Sequence, residues 1–270
     1  MIPSITLKNG VKMPVLGLGT WQLEGKGGVE AVQLALRLGY THIDTAEIYG
    51  NQREIGIAIK GHDRKRLFIT SKVWYTHLRK RDVLAACTQT LKELGTTYLD
   101  LYLIHWPNSA VPLQETFEAL KELHDDGKVR AVGVSNFTVK HLEEAMKASK
   151  VDICVNQVEF HPLLYQKELL AFCDKNHVRL TAYSPLGRGA VFKEATIKEI
   201  AAKHGKSPSQ VALRWLYEKG VIAIPKGSSE QHLKENMAIF DFELTKEETK
   251  RLDSLSRRRI INPPFAEFDE

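Results

Sequence analysis

The chain has 270 residues, of which 43% are hydrophobic and 26% are charged. This length allows a large buried core and fits one α/β barrel as well as two small domains. The formal net charge of +5 suits an anionic cofactor, and the only dense basic run, Arg257–Arg259, is interpreted as solvated surface rather than a nucleic-acid site.

No apolar stretch approaches the length that crosses a membrane, and the first ten residues lack the apolar core of a signal peptide. The three cysteines, Cys87, Cys154 and Cys173, are scattered without a CxxC spacing. We therefore expect a soluble cytoplasmic protein with reduced thiols that binds neither membrane nor nucleic acid.

The first predicted element is a β-hairpin over residues 5–13, where alternating apolar residues flank Asn9 and Gly10. Both turn residues accept positive φ, which a tight hairpin turn requires. We expect this hairpin to cap one end of the fold rather than to join the main sheet.

Strand-like and helix-like segments then alternate without a break in composition. The predicted strands are short and apolar on both faces, as in a covered parallel sheet: Val15–Leu18, Thr41–Asp44, Leu67–Val73, Leu99–His105, Ala131–Ser135, Ile153–Glu159, Arg179–Tyr183 and Val221–Pro225. Helical periodicity lies between them over Val29–Leu38, Arg53–Ile59, Val83–Leu94, Leu113–Asp125, Val139–Met146, Lys167–Asn176 and Val211–Glu218, and capping patterns begin helices at Ser207–Gln210 and Thr245–Glu248. About eight βα units favour one (β/α)8 TIM barrel over residues 1–270, with the hairpin as its cap.

Four chemically distinctive residues follow successive predicted strands. Asp44, Lys72 and His105 end three of these strands, and Tyr49 lies in the loop after the first. The C-terminal ends of barrel strands meet at one rim, where such enzymes place their chemistry. Tyr49 is the candidate acid for a carbonyl oxygen, and we expect Lys72 to lower its pKa from the ordinary value of about 10. Asp44 would hold Lys72, His105 would orient the carbonyl, and the scheme needs a hydride donor but no metal.

Other readings fit some of these residues. A single Asp, Lys or His at a strand end is more often a cap or an ion-pair partner than a catalyst. A metal-dependent barrel hydrolase would use the ligand types present at His42, Asp44, His105 and His161. A regulatory protein that binds a nicotinamide cofactor without turnover is the other alternative, since fold alone does not fix function.

A second group of polar residues at strand ends fits a nicotinamide cofactor. Ser135, Asn136 and Gln157 offer hydroxyl and amide groups for a carboxamide, and the ring of Tyr183 suits stacking on a flat ligand. Ile224–Asn236 includes the end of the last strand and opens a helix, a frequent phosphate-binding place in barrels, although an ordinary capped turn is the alternative. No GxGxxG follows a strand, so a Rossmann domain is not expected.

The chain resembles the aldo-keto reductases from end to end, and most closely their compact prokaryotic members. The matching stretches are Met13–Trp21, Gly39–Gly50, Asp100–Pro107, Gly133–Phe137, Asn156–Pro162, Ala182–Gly187 and Ile224–Lys226. The resemblance implies a β/α barrel that binds extended NADPH and reduces aldehydes or ketones to alcohols.

The resemblance also assigns roles to individual residues. The catalytic tetrad of the family falls on Asp44, Tyr49, Lys72 and His105, with Tyr49 as the acid. Its nicotinamide contacts fall on Ser135, Asn136, Gln157 and Tyr183, and its turn after the seventh barrel strand on Ser184, Leu186 and Gly187. Its positions for the 2′-phosphate and adenine fall on Lys226, Ser228, His232, Glu235 and Asn236.

One departure from the family pattern bears on the choice of cofactor. The position six after Lys226 is commonly Arg in the family and is His232 here. Arg grips phosphate bidentately and is always charged, whereas His is mostly neutral at pH 7. We therefore expect NADPH to be preferred over NADH by a modest margin, and NADPH binding to improve as the pH falls toward about 6.

Three tryptophans beside the rim motifs are candidates for the wall of a substrate pocket. Trp21, Trp74 and Trp106 would form an aromatic cleft above Tyr49, which favours hydrophobic or aryl aldehydes, although small polar carbonyls also fit such sites. Trp215 has helical spacing with its apolar neighbours and is expected in the outer core.

The chain is short beyond Asn236, as in the compact relatives, which implies an open site and broad substrate use. A monomer is typical of those members. In the tail we expect Pro263, Pro264, Phe265 and Phe268 to pack over the barrel or the pocket.

Overall fold

The computed structural model describes residues 2–268 and begins with the predicted hairpin. Strands β1 (Ser4–Thr6) and β2 (Lys12–Pro14) pair antiparallel around a turn in which Gly10 has a φ of 87°. Leu7 and Met13 pack against apolar residues near the N-terminal ends of the barrel strands, including Phe68 and Leu101. The hairpin therefore covers the end of the barrel opposite the polar rim, which confirms the predicted cap.

Eight parallel strands form the barrel, and each pairs with its neighbours in chain order. They are β3 (Leu18–Gly19), β4 (His42–Asp44), β5 (Phe68–Val73), β6 (Leu101–Ile104), β7 (Val132–Ser135), β8 (Ile153–Glu159), β9 (Arg179–Tyr183) and β10 (Ile222–Ala223). A parallel bridge between Leu16 and Ala223 joins the first and last strands, and Gly17 N donates to Ala223 O at 2.9 Å. The sheet is thus closed, and the predicted TIM barrel is confirmed.

The first and last barrel strands are shorter than predicted. Val15–Leu18 becomes Leu18–Gly19, because the residues before Leu18 reach β10 through the single bridge rather than through a continuous ladder. At the other edge, Pro225 has no N–H to extend the ladder and only accepts, from Gly19 N at 3.1 Å.

Ten α-helices surround the barrel or close its ends within residues 2–268. They are α1 (Gly25–Leu38), α2 (Gln52–Ile59), α3 (Lys80–Leu94), α4 (Leu113–Asp125), α5 (Val139–Ala148), α6 (Lys167–Lys175), α7 (Ala195–His204), α8 (Pro208–Glu218), α9 (Glu230–Met237) and α10 (Lys246–Asp253). Both predicted capping boxes are present, at Ser207 with Gln210 and at Thr245 with Glu248. Helix α7 was not predicted, since Ile197, Ile200 and Ala201 are its only buried residues.

The main core lies between the strands and the surrounding helices. Trp215 on α8 is fully buried there, packs near the rings of Phe160 and Tyr165, and donates its indole N–H to Asp253 at 2.7 Å. The predicted outer-core position of Trp215 is confirmed. No helix in the described part of the chain combines the length and apolarity needed to cross a bilayer.

Candidate active site

Three of the four predicted catalytic residues meet around one buried ammonium group. Lys72, the second-last residue of β5, is fully buried, and its Nζ donates to Asp44 Oδ1 at 2.5 Å and to Thr45 O at 2.8 Å. The same Nζ lies 3.4 Å from Tyr49 Oη. Asp44 ends β4, and Tyr49 lies in a short 3-10 helix, Glu47–Tyr49, directly beyond it. The C-terminal ends of two adjacent strands, with the loop after the first, therefore bring a carboxylate and a phenol to the same ammonium group.

Burial and charge compete at this cluster. Burial alone lowers the pKa of Lys72, but Asp44 and Tyr49 outweigh it, so that this pKa is raised and the ammonium stays charged at neutral pH. Tyr49 is half-buried, and burial raises its pKa while Lys72 lowers it and Asp44 raises it again. Lys72 thus acts on Tyr49 in the expected direction, but the net pKa of Tyr49 is above its usual value. Burial of the phenol is the larger effect.

His105 follows β6 and faces Tyr49 across the opening. Its ring makes edge-to-face contacts with Tyr49, at a centroid distance of 5.8 Å, and with Trp74, at 5.1 Å. Burial, and then the charge of Lys72, hold the pKa of His105 well below its usual range. The imidazole is therefore neutral at pH 7 and can donate one hydrogen bond.

The predicted carboxamide-binding residues form a hydrogen-bonded group beside this cluster. Gln157 Nε2 donates to Asp44 Oδ2 at 2.7 Å, which links the two groups directly. Asn136, in the left-handed region with a φ of 63°, donates to His105 O at 3.0 Å and accepts from Tyr183 Oη at 2.7 Å. Sequence reasoning missed the bond between Gln157 and Asp44, because nothing in a single chain shows which two strand ends face each other across a barrel.

The loops after β9 and β3, strands separated only by β10 in the closed barrel, approach each other at the rim. Ser184 and Gly187 after β9 have φ values of 46° and 54°, and Gly187 N donates to Ser184 O at 2.8 Å, with Leu186 half-buried in the same turn. The next residue, Arg188, is exposed and holds its guanidinium carbon 4.6 Å from the ring centre of Trp21. Sequence reasoning did not single out Arg188.

The segment after β10 lies between these two loops in the strand order of the rim. Of its predicted ligands, Lys226, Ser228 and His232 are exposed, Glu235 is half-buried and Asn236 is buried. Lys226 Nζ lies 3.3 Å from Gln22 Oε1, and Ser229 caps α9 by accepting from His232 N at 3.2 Å. The predicted helix start is thus present, and Ser229 is its cap.

The donor set fits a flat, extended and anionic cofactor. Lys226 and Arg188 contact only neutral groups, and within residues 2–268 no carboxylate lies within 4.0 Å of either charge. Tyr183 ends β9, the strand beside β10, and the amide side chains of Asn136 and Gln157 lie on the two preceding strand ends of the same rim. Two unneutralised cations, an aromatic face and amides match phosphates, a flat ring and a carboxamide.

The residues of the alternative metal site are held by separate partners. His42 Nε2 lies 3.1 Å from Thr70 Oγ1, and His161 Nε2 lies 2.9 Å from Glu159 Oε1. Throughout residues 2–268, no three His, Cys, Asp or Glu side chains are arranged as ligands of one metal ion.

Aromatic side chains line the mouth beside His105. Trp74 is half-buried, Trp106 is buried, and Trp21 is 43% exposed on the far side. Phe265 from the tail lies 5.4 Å from the Trp74 ring and 5.5 Å from the Trp106 ring. Two of the three predicted pocket tryptophans therefore share one wall, and the tail packs on it as predicted.

Comparisons with known proteins agree with this fold. The model of the Aldo/keto reductase family matches residues 15–257. The chain is 46% identical to a glyoxal reductase of Bacillus subtilis over 96% of the chain and 95% of that protein. It is 44% identical to the uncharacterized oxidoreductase YtbE of the same organism, over 98% of the chain and 96% of that protein.

Solved structures show the same similarity. An aldo-keto reductase from a Medee basin deep-sea metagenome library superposes with a TM-score of 0.94 at 40% identity, covering 99% of this chain and 100% of the other. A Bombyx mori aldo-keto reductase, solved in complex with NADP, gives a TM-score of 0.90 at 31% identity over 97% and 95% of the two chains.

A closed β/α barrel with a polar cluster at its C-terminal rim defines a class of enzyme rather than a single reaction. With these matches the family is settled: the chain belongs to the aldo/keto reductase family. It is an oxidoreductase, and members of its family use a nicotinamide cofactor.

Proposed function

We propose that this enzyme reduces aldehydes and ketones to alcohols with NADPH, using Tyr49 as the proton donor. One observation carries the proposal: Lys72 Nζ lies within reach of both Asp44, at 2.5 Å, and Tyr49 Oη, at 3.4 Å, on the rim of the barrel. The reductase names of the similar proteins support the same reaction type.

Each residue of the cluster has a definite task in this scheme. The hydroxyl of Tyr49 carries its proton at neutral pH, and in this scheme it gives that proton to the carbonyl oxygen as the hydride arrives. Lys72 then stabilises the phenolate that remains, and Asp44, held by Gln157, keeps Lys72 charged. The neutral His105 donates a hydrogen bond that orients the carbonyl.

The nicotinamide cofactor supplies the hydride when it is bound. Ser135, Asn136 and Gln157 would hold its carboxamide, and Tyr183 would stack on its ring. The turn over Ser184, Leu186 and Gly187 would contact its diphosphate region, and its 2′-phosphate and adenine would meet Lys226, Ser228, His232, Glu235 and Asn236. The exposed, unneutralised charge of Lys226 favours NADPH over NADH.

The proposed substrates are small carbonyl compounds, including aryl aldehydes. The rings of Trp74 and Trp106 give the mouth an apolar wall, and Trp21 offers a second, more exposed one. The similar glyoxal reductase acts, by its name, on a small dicarbonyl. We further propose that the enzyme acts as a cytoplasmic monomer, for which a single-chain mass in light scattering is the expected result.

The test follows the near-ultraviolet absorbance of NADPH in the presence of 4-nitrobenzaldehyde. We expect absorbance to fall, the fall to survive a chelator, and the rate to be greater with NADPH than with NADH. No fall despite measurable NADPH binding would favour a regulatory protein instead. A rate abolished by the chelator would reopen the metal-dependent alternative.

A further inference from the structure

The segment after α10 returns across the mouth of the barrel without forming a helix or strand in its described residues 254–268. We call these residues the tail. Two hydrogen-bonded regions join it to the barrel, one near Ile260 and one at Glu267. Between them it carries Phe265 onto the aromatic wall. What fixes the tail therefore bears on the shape of the substrate pocket.

The inner attachment is made by Glu159, the last residue of β8, whose side chain is fully buried. Glu159 Oε1 accepts from Ile260 N at 2.9 Å, and Oε2 accepts from Ile261 N at 2.8 Å. His161 Nε2 lies 2.9 Å from Oε1, and within residues 2–268 no Lys or Arg forms an ion pair with Glu159. A buried carboxylate that loses its hydrogen-bond donors is costly in free energy. The side chain of Glu159 therefore holds the backbone amides of Ile260 and Ile261 in place.

The outer attachment is weaker. Glu267 Oε1 accepts from Ser109 N and Ser109 Oγ, both at 2.9 Å, and these bonds are exposed to solvent. The contact of Glu267 with His141, at 3.8 Å, is near the limit of an ion pair. Exposed contacts of this kind contribute little. The buried bonds of Glu159, with the backbone bond from Arg258 N to Leu163 O at 2.6 Å just before them, are therefore the main constraint on the tail, and those of Glu159 lie nearer to Phe265.

Phe265 lies only four residues after Ile261, the last tail residue that Glu159 binds. A chain of four residues spans at most about 14 Å, so the position of Ile261 limits where Phe265 can lie. The Phe265 ring stacks on Tyr75, with centroids 4.3 Å apart and an angle of 10° between the planes, and also contacts Trp74. Trp74 in turn contacts His105. Glu159 at the end of β8 thus limits the position of the Phe265 ring, which packs against Trp74 in the pocket wall.

We propose that Glu159 is a positioning residue that sets substrate selectivity, because it anchors the tail and so holds Phe265 against Trp74 and Trp106. Its effect falls on bulky aryl carbonyls, which need that wall, rather than on small dicarbonyls, which react without it. The proposal rests on carbonyl reduction as the function of the site.

The experiment compares KM and kcat for 4-nitrobenzaldehyde and methylglyoxal in the wild type, Glu159→Gln, Phe265→Ala and the double variant. We expect Glu159→Gln to raise KM for the aryl aldehyde at least about five-fold more than for methylglyoxal. Since both changes act through one contact, the double variant should match Phe265→Ala alone. Additive effects, or equal changes for both substrates, would overturn the proposal.

Two further variants separate this role from general damage to the fold. Ile261→Pro removes a tail N–H without touching β8 and should reproduce the selectivity change. Glu168→Gln makes the same chemical change on the exposed surface of α6 and should leave both KM values as in the wild type.

A further control measures NADPH binding, because Glu159 pairs across the sheet with Tyr183, which we propose stacks on the nicotinamide. We expect the NADPH affinity of Glu159→Gln to stay within about two-fold of the wild type, and a larger loss would assign Glu159 to the cofactor site instead. Failure of the wild type to reduce either substrate would overturn the proposed function itself.

Discussion

At position 49, the burial of a phenol and the charge of a neighbouring lysine act on the same proton in opposite directions. Burial raises the pKa of Tyr49 more than Lys72 lowers it. The hydroxyl is protonated at neutral pH, and in the mechanism that we propose Lys72 matters most once the proton has left. The sequence identifies both residues, but it cannot weigh the two effects, because the degree of burial depends on packing across the barrel.

A second buried group, His42, predicts acid sensitivity. It is fully buried on β4, and burial is the main cause that lowers its pKa to about 4. The unfolded chain binds this proton below about pH 6.5, so stability is lost as the pH falls from 6.5 toward 4. We expect this residue to account for about 2 to 3 kcal/mol of the unfolding free energy lost between about pH 7.5 and 4.5.

Urea unfolding at the two pH values measures this loss. His42→Gln, which cannot take up the proton, should show a pH-dependent loss that is smaller by about 2 to 3 kcal/mol. The exposed His62→Gln should lose as much stability as the wild type. An unchanged loss in His42→Gln would show that His42 does not stay neutral in the folded state.

His232 predicts how the choice of cofactor can be strengthened. It is exposed in the first turn of α9, six residues after the unneutralised Lys226. His232→Arg adds a permanent charge and a planar donor pair, so we expect KM for NADPH to fall by roughly three- to ten-fold with little change for NADH. Steady-state kinetics with both cofactors measure the change, and the wild-type preference should grow as the pH falls. An equal change in both KM values would place His232 away from the 2′-phosphate.

At the scale of the element, helix caps were the local signals that the sequence carried best. Thr245 and Glu248 exchange bonds at the start of α10, as the spacing of the two residues predicts. Strand and helix ends without such chemistry shifted by as many as four residues, as at Gly25, where α1 begins before the predicted Val29. Their positions depend on pairing and packing rather than on local residues.

The cap of α10 makes a direct stability prediction. Thr245→Ala removes the side-chain acceptor for Glu248 N and should cost about 1 kcal/mol of unfolding free energy. Thr249→Ala, one turn further along the same helix, should be neutral or slightly stabilising, since alanine is the better helix former. Denaturant titration distinguishes the two. Equal effects of both changes would show that the capping bond adds nothing.

At the scale of the whole molecule, the alternation of strands and helices was enough to predict a closed barrel and the rim on which the site lies. It was not enough to predict which rim groups touch. The bond from Gln157 to Asp44 and the anchoring of the tail by Glu159 join residues about a hundred positions apart. Such contacts follow from closure of the sheet, which periodicity does not describe.

The same closed core predicts the behaviour of the thiols. Cys87, Cys154 and Cys173 are unpaired and buried, and burial raises their pKa values to about 12, 11 and 12, respectively. Because the thiolate is the reactive form, the folded protein should not react with an aromatic disulfide reagent, whereas the denatured chain should react at all three. Rapid reaction of any thiol in the folded protein would contradict this packing.

The most direct test of the account is the rate of NADPH oxidation by Tyr49→Phe with 4-nitrobenzaldehyde. Loss of the proton donor should lower kcat/KM by at least about 100-fold while NADPH affinity stays close to that of the wild type. The matched change Tyr98→Phe, at a half-buried tyrosine that bonds Arg64 O, should leave the rate unchanged. A wild-type rate in Tyr49→Phe would contradict the assignment of Tyr49 as the acid and, with it, the mechanism proposed for this site.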